Sequence, residues 1–434
     1  MKQVIRTAKT GVLIVLVLLS VVLSYLLWSG NLKEGSEIGF VQTSPMPTAT
    51  TPDLAHAVRP YRIVVNTPQG TTVVNPGSGV YASWTNWLKG VHVLGESPVK
   101  ELPAKLDFEA TFEFGVDLTH TTAAQWLKPF SSLIGNWSGR NIILYKLPGD
   151  SLCHVGFVEN NEILTMKTDM DAASLLTKAN QEVQSAPYDV IGDSGGTSYI
   201  PRDLAMNQYI YNIRQPDVLP LVHTFFVNLQ AVSHIQQDAN TSLWTDGSRA
   251  VLWDKQTQLL QYEDPNGEEV PLHEDDFLTA LEFIHTHGGG AQNVIGFDQF
   301  SSLTLDSSVP AYTFTQYVDG FPILSNASDY NVNMENGRVL EYDRPMWVLE
   351  QPATKTSVHV IDQEQLEAKL KKIDPTAPLD TFSMVLGYAS ESTAALSAQN
   401  EVLLQPVYYV TNGSGNVWMV DATNGSIVLG SDQS

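Results

Sequence analysis

The chain has 434 residues, in which 47 acidic side chains outnumber 24 basic ones and give a formal net charge of −23. This charge argues against nucleic acid or anionic lipid headgroups as partners and is compatible with a cationic protein partner. Since Cys153 is the single cysteine, the sequence excludes an intramolecular disulfide. We interpret the Cys153 side chain as a small buried apolar group rather than a reactive thiol.

The N-terminal region contains the uncharged run Gly11–Trp28, which predicts a membrane-spanning helix over residues 10–29. Residues 1–9 carry three lysine or arginine residues and no acidic residue, which places them in the cytoplasm and the bulk of the chain outside the cell. The alternative is a cleaved signal peptide. Because the apolar run exceeds the usual ~7–15 residues of such a peptide, we favour an uncleaved single-pass anchor in the cell membrane.

Three residues of this helix are the candidate partner-binding residues. Ser20 and Ser24 are four residues apart and share a helix face, where small side chains let another transmembrane helix approach closely. Trp28 lies at the outer end of the helix, where aromatic side chains anchor a helix at the membrane surface. The alternative, that the two serines occur by chance in a spanning helix, stays open at this stage.

Residues 30–60 are rich in threonine and proline from residue 42 onward and predict a flexible tether. Residues 61–216 predict an N-terminal α+β domain with tight turn residues at Asn160-Asn161 and coil over Pro187–Pro216. The predicted strands of this domain, by alternation or apolar content, are Arg62–Asn66, Lys105–Leu118, Arg140–Leu147, Cys153–Val158 and Glu162–Lys167. Its predicted helices are Tyr81–Leu88, Thr119–Lys128 and Asp171–Val183.

Two related modules are predicted in the rest of the chain, over residues 217–308 and 309–434. In each, an extended segment precedes a hairpin that ends in a Leu-x-Tyr motif, and a helix follows. The extended segments are Val222–Leu229 and Ala311–Val318, and the Leu-x-Tyr motifs begin at Leu260 and Leu340. The predicted hairpin turns include Asp246-Gly247 and Asp319-Gly320. The predicted helices are Glu274–His285 and Asp362–Ile373. We expect each helix to lie across an antiparallel sheet, which makes the chain α+β beyond its transmembrane helix.

The pentapeptide GDSGG at Gly192–Gly196 is similar to the segment around the nucleophile of chymotrypsin-like serine proteases. His56, Asp107 and Ser194 could supply a catalytic triad in the order of that family. However, His56 lies in the predicted tether with no strand before it, and more than half of the chain follows Ser194. Because a triad is defined by geometry and not by one pentapeptide, we do not predict an enzyme.

A second histidine-rich segment, His285-x-His287, could suggest a metal site together with His273 and the acidic run at 274–276. Residues i and i+2 of a helix do not face each other, and no third suitably spaced ligand completes a set. The acidic run is favourable at the N-terminus of a helix for electrostatic reasons alone. The sequence therefore predicts no metal and no cofactor.

Four groups of segments resemble the YycH (WalH) family of Gram-positive bacteria. They are the anchor end SVVLSYLLW after a short basic tail; KLDFEATFEFG with TSYIPRD; TFTQYVDGFPI with NVNMENGRVLEYDRP; and the closing segments MVLGY, LLQPVYYV and MVDATNGSIV. The third and fourth groups are similar to the module that YycH shares with its partner YycI. The resemblance covers nearly the whole chain, although each motif is degenerate.

The resemblance implies a non-enzymatic, membrane-anchored accessory regulator of the WalK–WalR (YycG–YycF) two-component system, which controls cell-wall metabolism. It implies a WalK-like sensor histidine kinase and a YycI-like single-pass protein as partners, contacted partly through transmembrane helices, and leaves a homodimer open. The alternative hypothesis is an extracytoplasmic module that binds a ligand or peptide of the cell envelope. A third hypothesis, a secreted hydrolase that uses Ser194, is the least favoured.

Overall fold

The computed structural model describes 54–99, 102–127, 139–159, 162–193, 196–265, 276–290, 293–298, 312–325, 328–335, 337–373 and 378–430. All of these residues lie within one compact unit, Ala49–Ser434. They form three antiparallel sheets with few helices, which confirms the mixed helix and sheet content predicted from the sequence. The predicted anchor over 10–29 and most of the predicted tether lie outside the described residues.

Sheet 1 is built from nine strands in the order β3-β7-β6-β5-β4-β1-β2-β8-β9. Its strands are β1 Arg62–Thr67, β2 Gly70–Val74, β3 Val93–Val99, β4 Phe108–Leu118, β5 Gly139–Lys146, β6 Leu152–Glu159, β7 Glu162–Asp171, β8 Tyr188–Asp193 and β9 Gly196–Pro201. Four helices accompany this sheet: α1 Leu54–Ala57, α2 Gly79–Lys89, α3 His120–Ala123 and α4 Ala172–Ser185.

Side-chain alternation along β4 explains how sheet 1 acquires its core. Phe108, Phe112 and Phe114 are buried on one side, and Trp84 of α2 packs on Phe108 with ring centroids 6.3 Å apart. Helix α2 begins after Ser78, whose hydroxyl accepts a hydrogen bond from the backbone amide of Tyr81. The predicted strand over Lys105–Leu118 is therefore confirmed from Phe108 onward.

Sheet 2 places β11-β12-β13-β14-β19-β18-β16-β15 in order, with β17 paired to β16. Its strands are β11 Ser233–Gln236, β12 Thr241–Thr245, β13 Ala250–Asp254, β14 Leu259–Glu263, β15 Val294–Asp298, β16 Tyr312–Val318, β17 Phe321–Pro322, β18 Tyr330–Glu335 and β19 Arg338–Pro345. Helix α6, Asp276–Thr286, covers one face of this sheet, and helix α5, Val218–Val222, precedes β11.

The Leu-x-Tyr repeat of the sequence has a direct structural explanation in sheet 2. Strands β14 and β19 are antiparallel neighbours, and Tyr262 of the first copy pairs with Tyr342 of the second. The strands after the predicted boundary at 308/309 therefore extend the same sheet as the strands before it. Both tyrosines are buried beneath α6, where Phe283 packs on each ring.

Sheet 3 contains β20-β10-β22-β23-β24 in order, with β21 on the other side of β22. Its strands are β10 Ala205–Arg214, β20 Val348–His359, β21 Phe382–Glu391, β22 Glu401–Asn412, β23 Val417–Asp421 and β24 Ile427–Gly430. Helix α7, Gln363–Ile373, lies on it and buries Leu366 and Leu370, and the short helix α8, Ala394–Ser397, precedes β22.

Three predicted elements are wrong. The predicted coil over Pro187–Pro216 contains β8, β9 and β10, because distant strands of two sheets supply pairing partners that the local sequence does not reveal. The predicted extended segment Val222–Leu229 is largely helical, with 3₁₀ turns at His223–Phe225 and Leu229–Ala231, and Phe225 stacks on Tyr262. The predicted helix over Thr119–Lys128 shrinks to α3, after which the described chain continues as turns.

Candidate functional site

A small cleft of about 60 Å³ opens where the three sheets meet. Four tyrosines contribute to its walls: Tyr61, Tyr188, Tyr199 and Tyr317. Arg62 of β1 adds the cationic side chain, and apolar residues of β17 and β21 complete the lining. The cleft therefore combines ring faces, phenol groups and one guanidinium at the junction of the sheets.

The Glu113 carboxylate binds two of these side chains at once. It accepts a hydrogen bond from Arg62 Nε at 2.6 Å and another from Tyr61 Oη at 2.7 Å, both to Glu113 Oε2. Arg62 and Glu113 are direct cross-strand partners on β1 and β4, so the sheet register itself brings them together. The Arg62 guanidinium also lies 4.6 Å from the ring centroid of Tyr199 on β9, within cation–π range.

The tyrosines of the cleft remain neutral phenols across the physiological pH range. Burial raises the pKa of Tyr188 to about 12, and burial followed by the nearby Glu113 carboxylate raises the pKa of Tyr199 to about 12 as well. Burial also raises the pKa of Tyr61 above its ordinary value of 10.0. The cleft thus offers hydroxyl donors and aromatic faces but no phenolate nucleophile or base.

The hairpin of β16 and β17 projects into this junction. Asp319 and Gly320 form its two-residue turn with φ angles of +49° and +84°, between the pairs Val318–Phe321 and Tyr317–Pro322. Positive φ at both turn residues is the geometry of a type I′ hairpin, which Asp-Gly favours. This confirms the turn predicted at Asp319-Gly320.

Each turn residue contacts a different sheet. The Asp319 carboxylate accepts hydrogen bonds from Asn207 Nδ2 at 2.9 Å and from Tyr209 Oη, both on β10 of sheet 3. Gly320 lies so close to the chain after β2 of sheet 1 that an added Cβ would collide with the carbonyl oxygen of Pro76. A single two-residue turn therefore joins sheet 2 to both of its neighbours.

Further contacts fix the sheets around the cleft. The Leu324 amide donates to the Tyr388 carbonyl at 2.7 Å and ties the end of the hairpin to β21. The Met384 amide of β21 donates to Ser198 Oγ of β9 at 2.9 Å, which joins sheets 1 and 3. Because the carboxylates and hydroxyls named here already bind one another, we interpret the junction as a joint between sheets more than as an open receptor pocket.

The loop after β17 contains a buried carboxyl group with an unusual environment. Burial raises the pKa of Asp329 well above its usual range, while a hydrogen bond from the Thr315 side chain opposes this shift. Asp329 Oδ1 has no hydrogen-bond partner among the described residues. The charged form of this side chain is therefore poorly stabilised in the folded protein.

Replacing Asp329 with asparagine is expected to raise the free energy of unfolding at neutral pH. The pKa of Asp329 is higher in the folded chain than its value of ~3.9 in the unfolded chain. The protonated carboxyl group therefore favours the folded chain fully below the unfolded pKa, and this stabilisation is lost as the pH rises through the folded pKa. Asparagine abolishes this loss, so the gain over the parent chain should be larger at pH 8 than at pH 5. Urea unfolding at both pH values measures it.

The exposed Asp380, in the 3₁₀ turn Leu379–Thr381 that precedes β21, supplies the control for this prediction. Asp380→Asn should change the unfolding free energy equally little at both pH values. A gain from Asp329→Asn that does not depend on pH would contradict the role assigned to the Asp329 proton.

The sequence-predicted partner-binding residues Ser20, Ser24 and Trp28 lie outside the described residues. Among the helices that the structure does describe, none has the length and apolar character needed to cross a membrane.

Two of the three residues considered for a protease triad lie in the described structure. His56 is exposed on α1, and Asp107 forms an ion pair with Lys146. Ser194 and Gly195 lie outside the described residues, whereas Asp193 and Gly196 pair at the adjoining ends of β8 and β9. The described residues of the pentapeptide therefore lie on two paired strands at the edge of sheet 1.

Of the histidines considered for a metal site, His273 lies outside the described residues, and His287 has other partners. His287 Nδ1 donates to the Phe283 carbonyl at 2.8 Å, and the His287 ring stacks on Phe225 with centroids 4.4 Å apart. Within the described ranges, no group of three potential ligands is placed to hold a metal ion. Cys153 is fully buried in the core of sheet 1, and burial, followed by the Asp171 charge, raises its pKa to about 12, which matches the predicted apolar role.

The sequence alone did not predict the junction of the three sheets. Asn207 and Tyr209 lay in predicted coil, and nothing local links Glu113 to Arg62. The available signal was Asp319-Gly320 within TFTQYVDGFPI, a segment identified both as a hairpin turn and as part of a family resemblance. Its contacts with two other sheets depend on the tertiary fold.

Three antiparallel sheets joined at one polar junction define the chain as a three-sheet α+β protein. The fold is similar to that of the crystal structure of YycH from Bacillus subtilis, with a TM-score of 0.63, 15% sequence identity, and coverage of 87% of this chain and 97% of that chain. A family model described as "YycH protein, C-terminal domain" matches residues 197–422. The chain belongs to the YycH family. No curated protein matches it.

Membership of the YycH family implies a regulatory role in the WalK–WalR two-component system, as an accessory protein rather than a known enzyme. The match begins in β9 and ends just beyond β23, so it contains the whole of β10 and the hairpin of β16 and β17. The family region therefore includes Asn207, Tyr209 and Asp319, whose side chains form hydrogen bonds between sheets 2 and 3.

Proposed function

We propose that the chain is a non-enzymatic, single-pass membrane protein that modulates a WalK-like sensor histidine kinase together with a YycI-like protein. The family match over residues 197–422 is the observation that carries this proposal. A regulator of this kind needs only to bind one state of the kinase better than another, and no catalytic residues. The three-sheet junction supports the proposal because it joins the surfaces of sheets 1, 2 and 3 into one body.

We further propose that the N-terminal helix over 10–29 provides one of the contacts, through the face that carries Ser20 and Ser24. Two small side chains one turn apart allow close approach of a partner helix, as in small-xxx-small pairs. Trp28 would hold the outer end of the helix at the membrane surface, so that this face stays at a constant depth.

Replacing both serines with leucine is expected to reduce co-purification of the kinase and of the YycI-like protein by at least tenfold. The added side-chain volume prevents close helix approach, while the helix remains apolar enough to span the membrane. The measurement is a membrane pull-down in mild detergent with full-length Ser20→Leu/Ser24→Leu.

Full-length Ser20→Ala/Ser24→Ala keeps the side chains small and should recover both partners normally. A chain that lacks Met1–Trp28 distinguishes the two regions: partners recovered equally with it would move the contact to the extracytoplasmic portion. Recovery of neither partner with the full-length chain would contradict the proposed function.

A further inference from the structure

The two faces of sheet 2 differ in what covers them. Residues on the inner face are buried beneath α6 and neighbouring segments, among them Trp244, Val251, Leu260, Tyr262 and Tyr342. The residues between them point to the opposite face, because side chains alternate along each strand. We call this opposite side the outer face of sheet 2.

An aliphatic row crosses the outer face at the β11 edge. Ile235 of β11 pairs with Leu243 of β12, and Leu243 pairs with Leu252 of β13. Ile235 is 48% exposed, and both leucines are partly exposed and take no part in the buried hydrophobic clusters. Three aliphatic side chains on adjacent strands therefore form a continuous apolar surface that faces solvent.

An acidic group continues the same face on the next two strands. Gln261 of β14 follows Leu252 in register and pairs with Asp343 of β19, while Glu263 pairs with Glu341. Burial, and then the charges of Glu341 and Glu263, raise the pKa of Asp343. Like charges directly opposite each other on paired strands are destabilising, so this arrangement carries an electrostatic cost.

No lysine or arginine in the described part of the chain forms an ion pair with any of these three carboxylates. Gln261 Nε2 donates to Asp343 Oδ1 at 3.1 Å, and Asn333 Nδ2 donates to Glu341 Oε2 at 3.3 Å, so their neighbours on the face are neutral amides. These two hydrogen bonds therefore leave the negative charge of the face uncompensated within the described residues.

We infer that the outer face of sheet 2 binds a basic amphipathic segment of a partner protein. Its aliphatic residues would pack on Ile235, Leu243 and Leu252, and its lysine or arginine residues would pair with the three carboxylates. Four strand spacings of ~4.8 Å separate β11 from β19, about 19 Å in all. A helix of ~13 residues has this length, so one short helix laid across the strands can reach both halves of the face.

A second copy of the chain fits this face less well. The chain has a net charge of −23, so self-association would bring further negative charge toward the carboxylates. A cationic segment removes the repulsion among Glu263, Glu341 and Asp343 and buries the aliphatic row at the same time. The face therefore selects a partner by charge as well as by apolar contact.

The test uses synthetic 20-residue peptides that tile the extracytoplasmic segments of the WalK-like kinase and the YycI-like protein of the same cell. This choice of probes rests on the proposed function, whereas the face itself follows from the sheet. Fluorescence anisotropy measures their binding to the full-length chain in detergent. We expect at least one peptide with both aliphatic and basic residues to bind, and its affinity to fall as NaCl rises from ~50 to ~300 mM.

Two variants of the full chain test the two halves of the face. Ile235→Lys places a charge in the aliphatic row, and Glu341→Lys reverses one carboxylate; each should weaken the binding peptide at least tenfold. Changing a basic residue of that peptide to glutamate should restore binding to Glu341→Lys. The control is Leu94→Lys on β3, because Leu94 is also an exposed aliphatic residue on an edge strand, 64% exposed, but belongs to sheet 1.

Unchanged thermal unfolding of each variant shows that the chain remains folded. Equal peptide affinity for all variants, or no binding peptide at all, would overturn the inference even if the pull-down recovers both partners. Sedimentation velocity provides a further outcome: a dimer that Ile235→Lys dissociates would assign the face to a second copy and would also overturn it.

Discussion

Replacing Gly320 with alanine is expected to lower the free energy of unfolding by about 3 kcal/mol. Gly320 has a φ angle of +84°, in a region that costs L-amino acids roughly 1–2 kcal/mol. In addition, the new methyl group would collide with the Pro76 carbonyl oxygen, which belongs to the backbone and cannot rotate away. Overpacking of this kind costs typically about 1–3 kcal/mol, so the two effects together give the expected value.

The sequence provides a matched control in its second Asp-Gly turn. Gly247 has a φ angle of +91°, close to that of Gly320, but an added Cβ would meet no atom within 4 Å. Gly247→Ala should therefore cost only the backbone strain, roughly 1–2 kcal/mol. The difference between the two variants isolates the contact between the hairpin and sheet 1.

Urea unfolding followed by tryptophan fluorescence measures both variants. If Gly320→Ala and Gly247→Ala were equally destabilising, the hairpin would not be packed against Pro76 as the structure shows. A Gly320→Ala unfolding curve that separates into two transitions would indicate that the junction is what makes the sheets unfold together.

Local sequence patterns predicted the elements whose structure depends on their own residues. Strand β4 and helix α2 each have one apolar face, which the sequence shows as alternation along β4 and as helical spacing along α2. Both elements are present in the structure. The helix predicted over Asp362–Ile373 is present as α7, and the Asp362 carboxylate just before it accepts a hydrogen bond from the Gln365 amide at 2.9 Å. The Leu-x-Tyr repeat indicated related hairpins, although not that their tyrosines would pair.

Elements stabilised by distant strands could not be predicted in this way. Strand β10 lies between β20 and β22, more than 130 residues away in the sequence at their paired positions, such as Asn207–Ser357. Its flanking glycine and proline residues are typical of coil, and only the completed sheet shows that they mark strand ends. The candidate site could not be predicted from local patterns for the same reason, because Arg62, Asp319 and Tyr209 come from three different sheets.

The Glu113 carboxylate is the second place where a single substitution should have a large effect. Glu113→Gln is expected to lower the free energy of unfolding by about 2–3 kcal/mol. The amide is nearly isosteric and can still accept one hydrogen bond, but it removes the charge that neutralises Arg62. The side chains of Arg62 and Glu113 are only 24% and 15% exposed, so solvent cannot fully replace that charge.

An exposed ion pair of the same type gives the comparison. Arg214 Nε and Glu350 Oε1 are 3.1 Å apart on β10 and β20, with side chains 60% and 46% exposed. Glu350→Gln should change the unfolding free energy by less than about 1 kcal/mol, because solvent screens exposed pairs. Chemical denaturation at neutral pH measures both variants.

The outcome also distinguishes two physical roles for the Arg62–Glu113 pair. If Arg62 matters as a charge, Arg62→Met/Glu113→Gln should recover part of the stability lost in Glu113→Gln, since no uncompensated cation remains near the cleft. If the pair matters only through hydrogen bonds to Tyr61 and Arg62, the double variant should be less stable than either single variant. Equal effects of Glu113→Gln and Glu350→Gln would show that the junction is as well solvated as the exposed edge, and the interpretation of the cleft as a desolvated joint between sheets would be wrong.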